Sequence, residues 1–303
     1  MGQSNLIEPG TKRAGASRLS SLLETQTGRA PIIYEGDGIR ISLDLDEPRF
    51  TKPDRGYGEY VARRALREFH ADLVHADRLA VTSLPGSMRK IMSGDLTEGR
   101  ENHDEVELVI DGQQVMQAWE HPYMAKLAEI ASAGKGHVLE VGFGMGISAS
   151  AIQDAGVASH TIIECHPDVQ NRFAQWRDKY PDSDVRLVEG KWQDRIDELG
   201  KFDAVLFDAY PLNEREWSEH YVNDVTYANH FFETAARHLA PDGVFTYYSN
   251  EVDSMSRAHQ RALLQWFDRI SMSVIDGLEP PEDCHYWQTT SFLVIEARGS
   301  RLG

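Results

Sequence analysis

Residues 137–146, HVLEVGFGMG, contain the most informative pattern in this chain. Apolar, β-favouring residues run directly into Gly142, Gly144 and Gly146. Glycine lets a chain turn tightly after a buried strand and lets its backbone approach a ligand closely. The pattern therefore predicts a strand, a glycine turn and a helix. Taken alone, it is compatible with binding of a nucleotide-type cofactor or with a tight strand-to-helix connection that binds nothing.

Downstream of this turn, short apolar runs alternate with amphipathic segments. Such alternation predicts βαβ units and a mostly parallel sheet, so the expected fold class is α/β. The predicted strands are His137–Val141, Thr161–Glu164, Val185–Val188, Phe202–Asp208, Val244–Ser249 and Phe292–Ala297. The predicted helices are Ile147–Ala155, Pro167–Tyr180, Tyr227–His238 and Ser256–Ile270.

Glu164 ends the strand that follows the glycine turn, about 20 residues further along. A carboxylate there can accept hydrogen bonds from the ribose hydroxyls of a nucleoside cofactor, although in isolation it could equally be a solvated acid. Dinucleotide-binding proteins usually carry Gly-x-Gly-x-x-Gly, whereas here the third glycine comes one position early. This spacing, with Glu140 just before the turn, favours S-adenosylmethionine over NAD.

The segment FDAYP, residues 207–211, ends another predicted strand. Strand ends of an open α/β sheet face the ligand crevice, so Asp208 and Tyr210 are expected to project into the site. The alternative is that Asp208 caps the helix that follows.

A second acidic residue, Glu120, lies in VMQAWEHPYM, residues 115–124. Burying a carboxylate in an apolar segment is costly unless it has a partner, so Glu120 is a functional candidate. The apolar residues around it could pack a helix onto the core, which is the favoured interpretation for Trp119. Those residues are Met116, Trp119, Tyr123 and Met124.

Four other side chains beside the predicted strands allow competing interpretations. Trp192 could lie against an adenine ring or cover the sheet. Cys165 is expected to be a small apolar filler rather than a nucleophile. His160 and His166 flank a strand without a spacing that suggests a metal, and surface histidines are expected.

The composition narrows the class of partner. The chain has 303 residues, with 31 Lys and Arg against 48 Asp and Glu, giving a formal net charge of −17. This balance argues against a nucleic acid or an anionic membrane as partner and leaves cationic small molecules open. With two cysteines, no apolar run of about 20 residues and no apparent signal peptide, the sequence predicts a cytoplasmic protein. Gly-x-Ser-x-Gly and Walker-type motifs are absent from the sequence.

The N-terminal third is predicted to be a small α+β extension. Two β-favouring runs around Glu35–Gly38 predict a hairpin. Further expected elements are helices over Tyr57 to about Leu79 and Gly86–Met92, a boundary loop over Ser93–Asp104, and a strand at Val106–Ile110. The predicted domains are therefore residues 1–104 and 105–303.

Taken together, six segments resemble the guanidinoacetate N-methyltransferase family and the related fungal arginine δ-N-methyltransferases. They match in order and spacing across about residues 108–297. The segments are VMQAWEHPYM (115–124), VLEVGFGMGI (138–147), IIEC (162–165), GKWQD (190–194), LFDAYPLNE (206–214) and PPEDCHYW (280–287).

The resemblance implies a seven-stranded, Rossmann-like fold that uses S-adenosylmethionine and no metal. It implies that Glu120 and Asp208 hold the guanidino group of a substrate and that Asp208 accepts a proton. Tyr210, Asn250 and Glu251 are further candidates for substrate binding. The implied cofactor-binding residues, with Gly142 added from the glycine turn, are Met116, Met124, Gly142, Phe143, Gly144, Met145, Gly146, Glu164, His166, Trp192 and Gln193.

Three departures from the family pattern concern the cofactor contact, the substrate and the assembly. His166 replaces an Asn of the vertebrate relatives. Glu251 stands where guanidinoacetate enzymes have a Leu-Thr pair that helps to bind the substrate carboxylate, and an acid there suits the ammonium of free arginine better. The N-terminal extension could cover the site, pair subunits as a homodimer, or only add stability.

The favoured substrate is therefore free L-arginine. Guanidinoacetate and a protein arginine are alternatives within the same chemistry. A methyltransferase fold retained as a non-catalytic binding module is an alternative of another class, which predicts cofactor binding without turnover.

Overall fold

The computed structural model describes residues 32–36, 39–43, 79–83, 95–222, 224–281, 283–284, 286–287 and 289–302. The chain divides into two compact units, Met1–Ile91 and Met92–Gly303, which are described separately. The division at residue 104, taken from the sequence, stays a prediction.

The first unit contains a three-stranded antiparallel sheet, β1 (Ile32–Gly36), β2 (Ile39–Leu43) and β3 (Leu79–Ser83). Pairing of β1 with β2 confirms the predicted hairpin. The helices predicted over residues 57–79 and 86–92 lie outside the described residues, except that Leu79 begins β3.

The second unit begins with a small antiparallel sheet of β4 (Glu101–His103), β5 (Glu107–Ile110) and β6 (Gln113–Gln117). The strand predicted at 106–110 is confirmed, but the loop predicted over 93–104 is wrong where it is described. A 3₁₀ turn, Leu96–Glu98, and β4 occupy it instead. Polar residues 101–103 gave no strand pattern because β4 lies at the edge of its sheet and is mostly exposed.

The central sheet has seven strands, β7 (His137–Val141), β8 (Ser159–Glu164), β9 (Val185–Glu189), β10 (Phe202–Phe207), β11 (Leu239–Tyr247), β12 (Phe267–Ile275) and β13 (Phe292–Ser300). Their order across the sheet is β12-β13-β11-β10-β7-β8-β9. The five strands from β11 to β9 are parallel to one another, and β13 runs antiparallel to both of its neighbours, β11 and β12. This arrangement confirms the predicted mostly parallel α/β sheet.

Short helices connect and cover the strands. The α-helices are α1 (His121–Ser132), α2 (Ile147–Ala155), α3 (Pro167–Arg177), α4 (Trp192–Arg195), α5 (Glu214–Glu216), α6 (Phe232–His238) and α7 (Arg257–Leu264). A π-helix, Trp217–Val222, follows α5. The 3₁₀ turns after Leu96–Glu98 are Ala118–Glu120, Ile196–Glu198 and Tyr227–Phe231.

One predicted helix is wrong in its second half. The helix predicted over 256–270 ends at Leu264, and the chain continues as β12. Here the apolar residues Ile270, Met272 and Val274 alternate with serines, which is a strand pattern. Because β12 is the exposed edge strand, it lacks the continuous apolar run that marks the buried strands.

The hydrophobic core lies between the sheet and its helices. Helix α1 buries Tyr123, Met124, Leu127 and Ala128 against α2, β10 and β11. Met116, which we expected on a helix, lies on β6. Within the described ranges, none of the helices combines the length and the apolar character needed to span a lipid bilayer.

Candidate active site

A cavity of about 1270 Å³, open to solvent, lies at the carboxyl ends of the parallel strands. Val141, Ile163 and Phe207, each in the last two residues of its strand, line its floor. This is the edge at which open α/β sheets bind ligands.

The glycine turn after β7 packs closely against the residue that follows β10. Gly142 has φ +95°, and a Cβ on it would collide with the carbonyl oxygen of Asp208. Gly144, with φ +52°, leaves room for the Met116 sulfur, which would lie 3.0 Å from an added Cβ. The Met145 amide lies 3.4 Å from the same sulfur. These contacts explain why glycines occupy the first two positions of this turn.

Glu164 connects the end of β8 to this turn. Its Oε2 accepts the Phe143 amide at 2.9 Å, and its Oε1 accepts the amides of Cys165 and His166 at 2.7 and 2.8 Å. The side chain is buried and still lines the cavity. Because a carboxylate oxygen has two lone pairs, Oε2 can accept one more hydrogen bond from a ligand.

His166 and His160 are buried, so their predicted surface positions are wrong. His166 Nδ1 accepts the Asp168 amide at 3.2 Å, and its Nε2 lies 3.1 Å from the Gly99 carbonyl oxygen. These contacts cap α3 and fix His166 beside the cavity. His160 Nε2 lies 2.9 Å from Glu140 Oε2 beneath the glycine turn. The sequence around this strand contains no pattern that predicts these partners of His160 and His166.

One described cluster has the composition of a metal site. Ligand atoms of Glu101, His166 and Asp168 lie within 4.8 Å of one another. Both nitrogens of His166 are already engaged, and the Arg172 guanidinium lies 3.1 Å from Glu101 Oε1. A cation would displace these contacts, so the cluster does not fit a metal. The predicted lack of a metal cofactor stays a prediction.

Trp192 begins α4 and covers the sheet, as one of its two interpretations predicted, while its contact with an adenine ring stays a prediction. Its ring packs edge-on against Phe231 and Phe207, with centroids 4.9 and 6.1 Å apart, and thereby covers the sheet. It is also partly exposed and lines the cavity. The neighbouring Gln193 is exposed and lines the same wall.

Glu120 ends the 3₁₀ turn before α1 and is only 2% exposed. Its Oε1 accepts the Gln117 amide at 2.9 Å and the Tyr286 hydroxyl at 2.6 Å. Burial raises the pKa of this carboxyl to about 7, and the two hydrogen bonds oppose that rise. Glu120 lines the cavity, where a cation would compensate its buried charge.

Asp208 directly follows β10, and its amide donates to the Val141 carbonyl at 2.9 Å. Burial, and then the charges of Glu120 and Glu140, raise the pKa of its carboxyl well above the usual range. The alternative role as a helix cap is wrong, because Asn213 caps α5 and accepts the Glu216 amide at 3.0 Å. Asp208 and Glu120 therefore form a coupled acidic pair in one cavity.

Aromatic side chains form much of the remaining wall. Tyr210 was predicted here and lines the cavity, as does Asn250. The other aromatic residues were missed because they come from separated segments and share no local spacing. Those residues are Trp217, Tyr221, Tyr227, Tyr248 and Tyr286.

Five predicted site residues do not line the cavity. Met124 is buried in the core, and the Phe143 ring packs on α3. Met145 and Gly146 belong to the back of the glycine turn. The Glu251 carboxylate lies 3.1 Å from His259 Nδ1. Their binding roles stay predictions, and the Glu251 geometry does not favour a substrate contact.

Comparisons with known proteins identify relatives of this chain. Protein arginine N-methyltransferase 2 of Kluyveromyces lactis is 34% identical over 141 residues, covering 45% of this chain and 32% of that protein. The protein of the same name from Yarrowia lipolytica is 32% identical over 178 residues, covering 55% of this chain and 34% of that protein. The matched part thus spans about a third of these relatives.

Among solved structures, the spermidine synthase of Thermotoga maritima aligns with a TM-score of 0.45 and 16% identity, over 70% of this chain and 72% of that one. Residues 95–297, about two thirds of the chain, match the family model described as guanidinoacetate N-methyltransferase. This segment includes the glycine turn, Glu120, Asp208 and Tyr286. The chain therefore belongs to the guanidinoacetate N-methyltransferase family.

Proposed function

We propose that this protein transfers a methyl group from S-adenosylmethionine to a guanidino nitrogen of a small molecule, with free L-arginine as the favoured substrate. The products are N-methylarginine and S-adenosylhomocysteine. The observation that carries the proposal is the pair Glu120 and Asp208, a buried and a half-buried carboxylate that line one cavity beside the glycine turn.

The residues at the cavity floor fit the cofactor. The glycine turn provides close backbone approach, Glu164 keeps an acceptor position for a ribose hydroxyl, and Trp192 offers an aromatic face. When bound, S-adenosylmethionine supplies an electrophilic methyl group.

Glu120 and Asp208 would bind the guanidinium. This cation is planar and offers several N–H donors that match carboxylate oxygens. Without a cation the two carboxylates repel each other and favour protonation. A guanidinium between them removes that repulsion, so binding ionises the pair and orients one nitrogen.

Asp208 would also accept a proton. A fully protonated guanidinium has little nucleophilic lone pair, so the reacting nitrogen must lose a proton as its bond to carbon forms. The raised pKa of Asp208 makes its carboxylate a stronger base than an ordinary aspartate. Glu120, held by Gln117 and Tyr286, would keep the remaining positive charge in place.

Two observations bear on the choice among guanidino substrates. The relatives are named for arginine and the family model for guanidinoacetate. The Glu251 amide already donates to Ser249 Oγ at 3.2 Å, which disfavours the carboxylate contact expected of guanidinoacetate enzymes at this point. This favours arginine, while the names of the fungal relatives keep a protein arginine as the second candidate.

Mass spectrometry tests the proposal directly. The full chain is incubated with S-adenosylmethionine and, separately, arginine, guanidinoacetate or a basic peptide. We expect a gain of one methyl on arginine, and we expect Asp208→Asn to lower kcat at least about 100-fold. Ser254→Ala, an exposed position, is the control. Reaction of guanidinoacetate or of the peptide alone would replace arginine as substrate, and cofactor binding without any methylation would refute the proposed activity.

A further inference from the structure

A single tyrosine from the far end of the second unit reaches the Glu120 carboxylate. Tyr286 donates its hydroxyl to Glu120 Oε1 at 2.6 Å across a sequence separation of 166 residues. The same oxygen accepts the Gln117 amide at 2.9 Å. Both lone pairs of Oε1 are therefore occupied.

Contacts on either side hold Tyr286 in place. Its ring packs against Trp119 with centroids 6.0 Å apart, and Trp119 Nε1 donates to Gln117 Oε1 at 3.0 Å. The preceding chain is tied to β6, because Gln114 Nε2 donates to the Asp283 carbonyl at 3.1 Å. The following Trp287 stacks on Phe292 of β13, with centroids 3.8 Å apart.

The other oxygen of Glu120 is left for the cavity. Among the residues that the structure describes, none donates a hydrogen bond to Oε2, while Glu120 itself lines the cavity. We propose that Tyr286 is a positioning residue that fixes the Glu120 carboxylate with Oε1 occupied and Oε2 presented to the guanidinium. This inference rests on the proposed function for its substrate, but the contact between Tyr286 and Glu120 can be tested without it.

The groups around Glu120 determine how removal of the Tyr286 hydroxyl would change the pKa of Glu120. Burial raises the pKa of Tyr286 well above its usual range, so the hydroxyl remains a donor at every working pH. Its hydrogen bond lowers the pKa of Glu120, against the effect of burial. The other titratable groups that interact with Glu120 are Tyr123, Asp208, Tyr248 and Cys284.

Steady-state kinetics of Tyr286→Phe test the positioning role. We expect the KM for the guanidino substrate to rise about tenfold, with the KM for S-adenosylmethionine unchanged. The acid limb of the pH profile of kcat/KM should move up by about one pH unit. Tyr180→Phe is the matched control, because Tyr180 also donates to a carboxylate, Asp154 Oδ1 at 3.2 Å, away from the cavity.

A double-mutant comparison separates positioning from packing. If Tyr286 acts through the Glu120 carboxylate, adding Tyr286→Phe to Glu120→Ala, which leaves the hydroxyl no acceptor at this position, should change the KM less than about twofold. Equal losses in both backgrounds, or a Tyr286→Phe variant indistinguishable from the control variant, would overturn the proposal.

Unfolding in urea provides a test that needs no activity. The pH dependence of stability, measured as the difference between each protein and its Glu120→Gln counterpart, reports the Glu120 titration. The difference should fall from about pH 4.5 and level off near pH 7, and we expect this upper end to move up by about one unit in Tyr286→Phe. An unmoved upper end contradicts the contact even if methyl transfer is observed. A moved upper end without methyl transfer keeps the contact and refutes the proposed function.

Discussion

Gly142 and Asp208 touch through their backbones, and this contact joins the cofactor side of the cavity to its acidic side. The closeness depends on a residue without a Cβ at φ +95°. The sequence alone predicted Gly142 and Asp208 as site residues, because each directly follows an apolar strand. It did not predict that they would meet, since the contact needs the parallel pairing of β7 with β10.

Gly142→Ala is expected to damage both stability and catalysis. The new methyl group would collide with the Asp208 carbonyl, and the backbone would be strained, so we expect a loss of at least about 2 kcal/mol in the free energy of unfolding. Methyl transfer should fall with it as Asp208 shifts. Urea unfolding and kcat measure the two effects. Gly134→Ala is the control, because a Cβ there has no neighbour within 4 Å, and equal stability of both variants would contradict the prediction.

Glu120 makes stability depend on pH in the direction opposite to that of an ion-paired acid. Its pKa is about 7 in the folded protein and 4.5 as a reference, so the folded state binds the proton more tightly. The stabilising contribution is full below about pH 4.5 and is lost as pH rises through about 7.

Glu120→Gln should therefore gain stability relative to the parent protein between pH 5 and pH 8. A shift from 4.5 to about 7 corresponds to about 3 kcal/mol as an upper value. The urea midpoints at the two pH values measure the difference, with Glu129→Gln on the exposed side of α1 as control. A difference between the two proteins that does not change with pH would rule out a protonated Glu120.

At the scale of elements, the buried strands were predictable, whereas the exposed edge strands β4 and β12 were not. β7, β8 and β10 are buried along nearly their whole length, and their predicted spans are close to the observed ones. β4 and β12 lie at the edges of their sheets, so solvent accepts polar residues there and weakens the pattern. The fit of Tyr286 against Glu120 was equally hidden, because no local periodicity records a contact between distant segments.

The Phe143 ring packs against α3, so we expect this side chain to stabilise the fold and not to contact the cofactor. Its ring lies 5.5 Å from Phe173 and 5.3 Å from Trp176, on the helix side of the turn. Phe143→Leu should lower the free energy of unfolding by about 1–2 kcal/mol and leave the Kd for S-adenosylhomocysteine within about twofold. Calorimetric titration measures the Kd, with Phe173→Leu as control. A tenfold weaker Kd for Phe143→Leu alone would instead support the cofactor contact that the family resemblance implied.

At the scale of the whole molecule, the net charge of −17 agrees with a cationic substrate and has little influence on the fold. The cytoplasmic location and a homodimer formed through the N-terminal extension stay predictions, since composition alone determines neither. The family resemblance supplied the seventh strand and the pairing of Glu120 with Asp208, neither of which follows from periodicity. Periodicity does not predict that pairing, because the residues that line the cavity come from both ends of the second unit.

The position of β13 has a consequence for how the molecule is made. β13 is the last described strand along the chain, yet it lies between β12 and β11 inside the sheet. A growing polypeptide must therefore leave a gap beside β11 until β13 leaves the ribosome. During that interval two strand edges are open to wrong pairing, and Tyr286, just before β13, has not yet reached Glu120. Completion of the acidic site thus coincides with closure of the sheet, so a nascent chain can form this site only after β13 has emerged.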